Sequence, residues 1–282
     1  RLQLRNYFGE ISIVDGTAAT PFRTFMHGTT MHGAEAMSEV SADATAPPQA
    51  LTYYSPQGGM AQSLQLTQER LAQTGRSGTY RIIGLGTGSL ACYAKPGEDW
   101  AYYEIDPNVT KVARDPGQFT FLSNCTPNMP VIEGDARLTL ASGSTEKVDY
   151  LLVDAFSSDS IPIHLITTEA MQLYLSRLKD DGLLTMHVTN RYMDLVPVVA
   201  ANLKAIDPNL QARVLDFAPE KPDVPAMHSI VIVISRSAEA IAKFDKTTIA
   251  APMPDAHGID PWTDDFANLP AAMLRRLSIT KY

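Results

Sequence analysis

The hydrophobic and polar positions change rhythm near Tyr80. Before it, two alternating runs, Tyr7 to Val14 and Phe22 to His27, flank Asp15-Gly16. That dipeptide suits a tight hairpin turn, so the two runs predict a small β appendage. Glu35 to Gln49 is rich in Ala, Ser and Pro and reads as a loop, as does Tyr53-Tyr54-Ser55-Pro56-Gln57-Gly58-Gly59. Met60 to Gln73 places Leu64 and Leu71 on a helical repeat and predicts a helix.

From Tyr80 onward, apolar strand-like runs alternate with helical ones. Strands are predicted at Tyr80–Leu85, Trp100–Ile105, Val131–Glu133, Val148–Asp154 and Leu183–Val188. Helices are predicted at Asn108–Arg114, Thr168–Leu178 and Val196–Ile206, with Asp181-Gly182 as the stop of the second. Tyr150 to Val153 is apolar on both faces, as a central parallel strand is. Arg213–Phe217 and Ser229–Ser235 fit an antiparallel edge. Repeated β-α-β units imply an α/β fold with a doubly wound, mostly parallel sheet. We expect the N-terminal appendage and loops in residues 1–57 and a catalytic domain in residues 58–282. Ligands in such sheets bind beyond the carboxyl ends of the strands.

Composition narrows the partners. The chain has 282 residues, 45% of them hydrophobic, enough for a sizeable core. Its net charge of −8 repels phosphate backbones and counts against nucleic acid as a partner. The same charge suits a cationic small-molecule substrate. Cys92 and Cys125 lie in neither a CxxC nor a zinc-type spacing. Cys92 is expected to pack as a small apolar residue, in a reduced, cytoplasmic setting. No signal peptide or bilayer-length apolar run is visible. The first residue is Arg1, so a processed product and a piece of a longer protein both remain open.

Four motifs sit at the predicted strand ends. Gly84-Leu85-Gly86-Thr87-Gly88 follows an apolar strand, and its glycines allow a tight turn and close approach to a ligand. Glu104 ends the next strand, twenty residues after Gly84. A carboxylate there can accept both ribose hydroxyls. Gly134-Asp135-Ala136 follows the third strand; Asp135 suits an adenine amino group or a helix N-cap, and the two roles are compatible. Asp154 closes the fourth strand and precedes a loop carrying Asp159. Two acids there are placed to hold or deprotonate an amine, with loop capping the plainer role for Asp159.

Together these residues resemble the spermidine synthase (polyamine aminopropyltransferase) family. The segments concerned are Gly84–Gly88, Tyr103-Glu104-Ile105-Asp106, Gly134-Asp135 and the run from Val153 through Asp154 and Asp159 to Pro162. Further likenesses are His27 to Gly33, Tyr53 to Gly59, His187 to Tyr192 and Trp262 to Asp265. The chain is most similar to the spermidine-synthase-like domains fused to membrane segments. The resemblance implies a Rossmann-like class I methyltransferase fold and S-adenosylmethionine or its decarboxylated form as substrate. It also implies a methylthioadenosine leaving group, no metal, a polyamine as possible acceptor and a membrane segment outside this chain. A homo-oligomer is expected. By motif, Glu104 would hold ribose, Asp135 with Ala136 the adenine, and Asp154 would face the reacting centre. Gly84, Gly86, Thr87, Gly88 and Tyr54 would complete the nucleoside site, although Tyr53 and Tyr54 suit packing of the appendage equally.

Two departures bear on the substrate. Relatives place an acid in the glycine loop where this chain has Thr87. A neutral residue there tolerates the carboxylate of intact adenosylmethionine. The loop after Asp154 is also lengthened. The chemistry left open is aminopropyl-type transfer, a lyase reaction closing homoserine lactone, methyl transfer, or nucleoside sensing without turnover. His187 either lines the pocket or satisfies the core. His27 and His32, five apart, suit structural hydrogen bonds better than a metal.

Overall fold

The computed structural model describes residues 2–40, 47–143, 146–155, 162–220, 224–256 and 258–279. Four N-terminal strands form an antiparallel meander in sequential order: β1 (Leu2–Asn6), β2 (Gly9–Asp15), β3 (Phe22–His27) and β4 (Thr30–Ala36). The sequence pattern reveals only the middle two. Tyr7, expected in a strand, is exposed in the turn between β1 and β2. Glu35, expected in a loop, lies in β4 and is fully buried. Its carboxylate accepts hydrogen bonds from the backbone and the hydroxyl of Thr120, a partner 85 residues away that no local pattern discloses.

The larger sheet has eight strands: β5 (Thr79–Ile83), β6 (Asp99–Glu104), β7 (Val131–Glu133), β8 (Val148–Val153), β9 (Leu178–His187), β10 (Gln211–Phe217), β11 (Ser229–Ser235) and β12 (Ala250–Pro252). Their order is β12-β10-β11-β9-β8-β5-β6-β7. The five strands from β9 to β7 are parallel, and β10 to β12 form an antiparallel edge. The chain leaves β5 toward β6 and later returns to its other side with β8. The strand order therefore reverses beside β5, where open α/β sheets take ligands.

The helices are α1 (Gly59–Gln73), α2 (Pro107–Arg114), α3 (Phe121–Cys125), α4 (Ala136–Ser142), α5 (Thr168–Ser176), α6 (Val196–Ile206), α7 (Ala238–Ala242) and α8 (Leu269–Ile279). Every residue of β8 is buried, because helices cover both faces of the sheet. Tyr150 and Leu152 pack with Met60 and Leu64 of α1, while Leu151 and Val153 pack with α5 and α6. Each such side chain removed from water contributes about 1.5–3 kcal/mol.

Two expectations are corrected here. Asp181-Gly182 does not stop a helix. Helix α5 ends at Ser176, and both residues lie inside β9, where Asp181 accepts from Arg70 and Arg76 at 2.5 and 2.7 Å. Cys92 is not a free packing residue. It is disulfide-bonded to Cys125 with a Cα–Cα distance of 4.9 Å, tying the 3-10 turn at Ser89–Tyr93 to α3. Sequence spacing cannot show such a pairing, because the turn and α3 meet only in the folded chain. Among the described residues no helix is long and apolar enough to cross a membrane.

Candidate active site

The strand ends β5, β6 and β8 open into a cleft of about 830 Å³, with the N-terminal sheet on its far side. Strand β5 runs into the glycine loop, which is squeezed from two directions. The backbone of Asp154 lies against Gly84, where φ is +97°, and leaves no room for a side chain. Gly86, at φ +54°, faces the carbonyl oxygen of His32, 3.0 Å from where a Cβ would stand. Glycine is the residue that tolerates both the left-handed backbone and the contact.

Glu104 is buried at the end of β6. Its two oxygens accept from the backbone N–H of Leu85 at 3.0 Å and of Asp106 at 2.9 Å. Burial raises its pKa, and the backbone donors oppose that rise in part. Each oxygen keeps a lone-pair direction for a further donor. Asp135 caps α4 by accepting from Leu138 N–H at 2.9 Å and lies 3.5 Å from His164. It also lines the cleft with Gly134 and Ala136, so capping and an opening toward the cleft coexist.

Asp154, just past β8, is buried and held on both oxygens. The Tyr54 hydroxyl donates to Oδ2 at 2.6 Å, and His187 Nδ1 lies 2.7 Å from Oδ1. The carboxylate can only accept, so Nδ1 carries the proton. Nε2 of the same ring meets the Thr189 hydroxyl at 2.7 Å, and Thr189 in turn accepts from Ile230 N–H at 2.7 Å. Burial, reinforced by the charge of Asp154, raises the Tyr54 pKa well above its usual value, so the phenol stays a donor. Tyr54 on one side and His187 backed by Thr189 on the other thereby fix one carboxylate beside the glycine loop.

Tyr54, Gly84, Gly86, Glu104, Asp135, Ala136 and Asp154 all line this cleft. Thr87 and Gly88 do not appear on its wall. Thr87 is fully buried against Gly33 of β4, and its hydroxyl has no hydrogen-bond partner among the described residues. Gly88 turns toward Leu122 of α3. Asp159 lies outside the described residues. The sequence assigned no role to Asp106, which is buried in the cleft wall and accepts from Asn108 N–H at 2.8 Å and Asn6 Nδ2 at 2.6 Å. Its signal is Asp-Pro at a helix start, which reads as a cap and nothing more. Phe25 had no assigned role, and His32, expected to make structural hydrogen bonds, also lines the cleft, because only the folded meander brings them over the strand ends.

No family model matches the chain. Over 108 residues it is 35% identical to a polyamine aminopropyltransferase of Vibrio vulnificus, a match spanning 36% of this chain and about a third (35%) of that relative. A solved probable spermidine synthase from Corynebacterium glutamicum superimposes over 94% of this chain and 97% of its own, with a TM-score of 0.63 at 14% identity. The fold is that of the spermidine synthases. A second solved spermidine synthase, in complex with the transition-state analogue AdoDATO, covers 99% of this chain and 87% of its own at a TM-score of 0.54 and 14% identity. The expected class I methyltransferase-like sheet, with an antiparallel N-terminal sheet beside it, is therefore present.

Proposed function

We propose that the cleft binds S-adenosylmethionine or its decarboxylated form and displaces methylthioadenosine by attack at the carbon next to the sulfonium. The observation that carries this reading is the Asp154 carboxylate, gripped by Tyr54 and His187, in one cleft with the strand-end acids Glu104 and Asp135. The AdoDATO complex of the solved neighbour and the aminopropyltransferase relative support a nucleoside ligand of this class.

In this reading Glu104 accepts the ribose hydroxyls, Asp135 with the backbone near Ala136 meets the adenine, and Gly84 and Gly86 let the backbone come close. Asp154 faces the sulfonium, with Asp159 as a second acid of the same loop. The positive sulfur is a good leaving group. Catalysis then requires orientation of the nucleophile and a place for its proton. An amine nitrogen forms the new C–N bond while the C–S bond breaks. Sulfur keeps the electron pair, and the ammonium proton passes toward Asp154 or water.

Incubation with each donor, with and without a panel of amine acceptors, diamines and amino carboxylates among them, tests the reading. Methylthioadenosine with an alkylated amine supports it. Methylthioadenosine with homoserine lactone assigns a lyase, adenosylhomocysteine assigns a methyltransferase, and no product assigns a sensor; each of these three overturns transfer at that carbon to an acceptor amine.

A further inference from the structure

The glycine loop runs on into the 3-10 turn Ser89–Tyr93, whose last residue reaches Tyr54. The Tyr93 hydroxyl donates to the backbone oxygen of Tyr54 at 2.8 Å, and the Tyr54 hydroxyl donates in turn to Asp154 Oδ2 at 2.6 Å. Two hydrogen bonds therefore join the turn to the proposed reacting centre. Tyr54 needs such support. It closes a second 3-10 turn, Thr52–Tyr54, in which Thr52 has a left-handed backbone at φ +61°. Among the described residues Thr52 is the one non-glycine residue in that region. A β-branched side chain is strained there, and such strain persists only where the surroundings hold it in place.

Tyr93 is itself tied twice. Gln68 of α1 donates from Nε2 to its backbone oxygen at 2.8 Å, and the residue before it, Cys92, is joined to Cys125 of α3. The turn and α3 have five residues each. Helical pieces that short are not stable alone, so tertiary ties fix where they sit. Lys95, Pro96 and Gly97 beyond the turn are exposed, as are Pro127 and Asn128 beyond α3. Both pieces therefore have an open side toward which to shift. The two cysteines are only partly buried, which leaves their bond open to attack by a thiolate.

We propose that Tyr93 is a positioning residue for the Tyr54–Asp154 pair and that the Cys92–Cys125 disulfide makes this positioning redox-sensitive. The co-reactant is a dithiol. Its first thiolate attacks one cysteine sulfur, the Cys92–Cys125 bond breaks, and a mixed disulfide forms. Its second thiolate displaces the cysteine held in that mixed disulfide. The dithiol leaves oxidised as an internal disulfide, and its two protons end on the reduced cysteines. With the bond open Tyr93 loses one of its ties, the strained turn at Thr52 loosens, and Tyr54 holds Asp154 less firmly. The oxidised protein is the competent form. The effect on turnover rests on the transfer reading above; the loosening of the Tyr54 turn does not.

Hydrogen exchange read by mass spectrometry tests the coupling on the full chain, oxidised and after dithiothreitol. We expect reduction to speed exchange over residues 51–55 and 89–93 by about two- to tenfold, the effect of losing one neutral hydrogen bond. Strand β8 should keep its protection, and diamide should restore the slow exchange. In Tyr93→Phe, exchange over residues 51–55 should be fast in both redox states. Unchanged exchange there on reduction of the unaltered protein overturns the proposal. So does a response to dithiothreitol that persists over residues 51–55 in Tyr93→Phe, or loss of protection throughout β8. In the turnover assay, reduction and Tyr93→Phe should each lower kcat by up to about tenfold, without adding to one another, while methylthioadenosine affinity is kept. A kcat indifferent to reduction also overturns the proposal. Absence of turnover with every donor sinks the transfer reading instead, and the exchange measurement still decides the positioning.

Discussion

His187 Nδ1 lies 2.7 Å from Asp154 Oδ1, on the oxygen opposite the one that Tyr54 holds. The pair fixes the orientation of the carboxylate from both sides. Tyr54→Phe or His187→Ala removes one hydrogen bond to a charged group, worth about 1.5–3 kcal/mol. Each change should therefore slow turnover by about tenfold or more while nucleoside affinity is kept. Separate measurement of kcat and of the methylthioadenosine dissociation constant checks this. A change confined to nucleoside affinity would place both residues in the nucleoside site instead.

Glu104 predicts a pH dependence. Burial raises its pKa, so its charged form gives way to the acid at a higher pH than an ordinary carboxylate does. A raised carboxylate pKa contributes stability that is full below the unfolded value and lost as pH rises through the folded one. Nucleoside binding has the opposite sign, because the acceptor of two ribose hydroxyls must be ionised. Affinity should fall as pH drops toward the carboxylate range, beginning above the usual glutamate value. Glu104→Gln should weaken binding by about ten- to a hundredfold and flatten that profile. Calorimetric dissociation constants across pH, for both proteins, decide whether Glu104 contacts the nucleoside.

Thr87 bears on the donor. Its hydroxyl is buried against Gly33 and has no hydrogen-bond partner among the described residues, off the wall of the cleft. Thr87→Val should change stability by less than about 1 kcal/mol, because no hydrogen bond is lost. Thr87→Asp should destabilise by about 3 kcal/mol or more, since a charge would be buried unpaired. Denaturant unfolding of the two variants measures this. A stable Thr87→Asp protein with altered donor preference would return the residue to the nucleoside site.

The disulfide ties the turn after the glycine loop to α3, whose Leu122 packs on Gly88. Replacing Cys92 and Cys125 by alanine should cost about 2–4 kcal/mol by loosening the constraint on the unfolded chain. Without reductant, both thiols should resist maleimide, and both should react after reduction and unfolding. Labelling of the unreduced, unfolded protein would show that the bond does not form in the material tested.

The strand ends were legible because strand, glycine loop and acid follow one another locally. Glu104, Asp135 and Asp154 come from three such repeats, and the sheet order brings them into one cleft. Long-range partners were not legible. Asp149 and Asp154 look alike in sequence at the two ends of β8. The first is consumed by Arg76, Lys179 and the backbone of Thr79 at 2.5, 2.7 and 2.9 Å, and the second is left for the cleft. Likewise, β1 and β4 carry too weak a pattern alone, and Glu35 finds its partner in Thr120, 85 residues away.

The most direct test of the account measures methylthioadenosine release and nucleoside affinity side by side for the unaltered protein and Asp154→Asn. The account predicts methylthioadenosine as the nucleoside product. It predicts near-equal affinities for the two proteins and a rate lower in the variant by about 10²–10⁴, the usual contribution of a positioned acid or base. Adenosylhomocysteine as the product, or a full rate in Asp154→Asn, would contradict it.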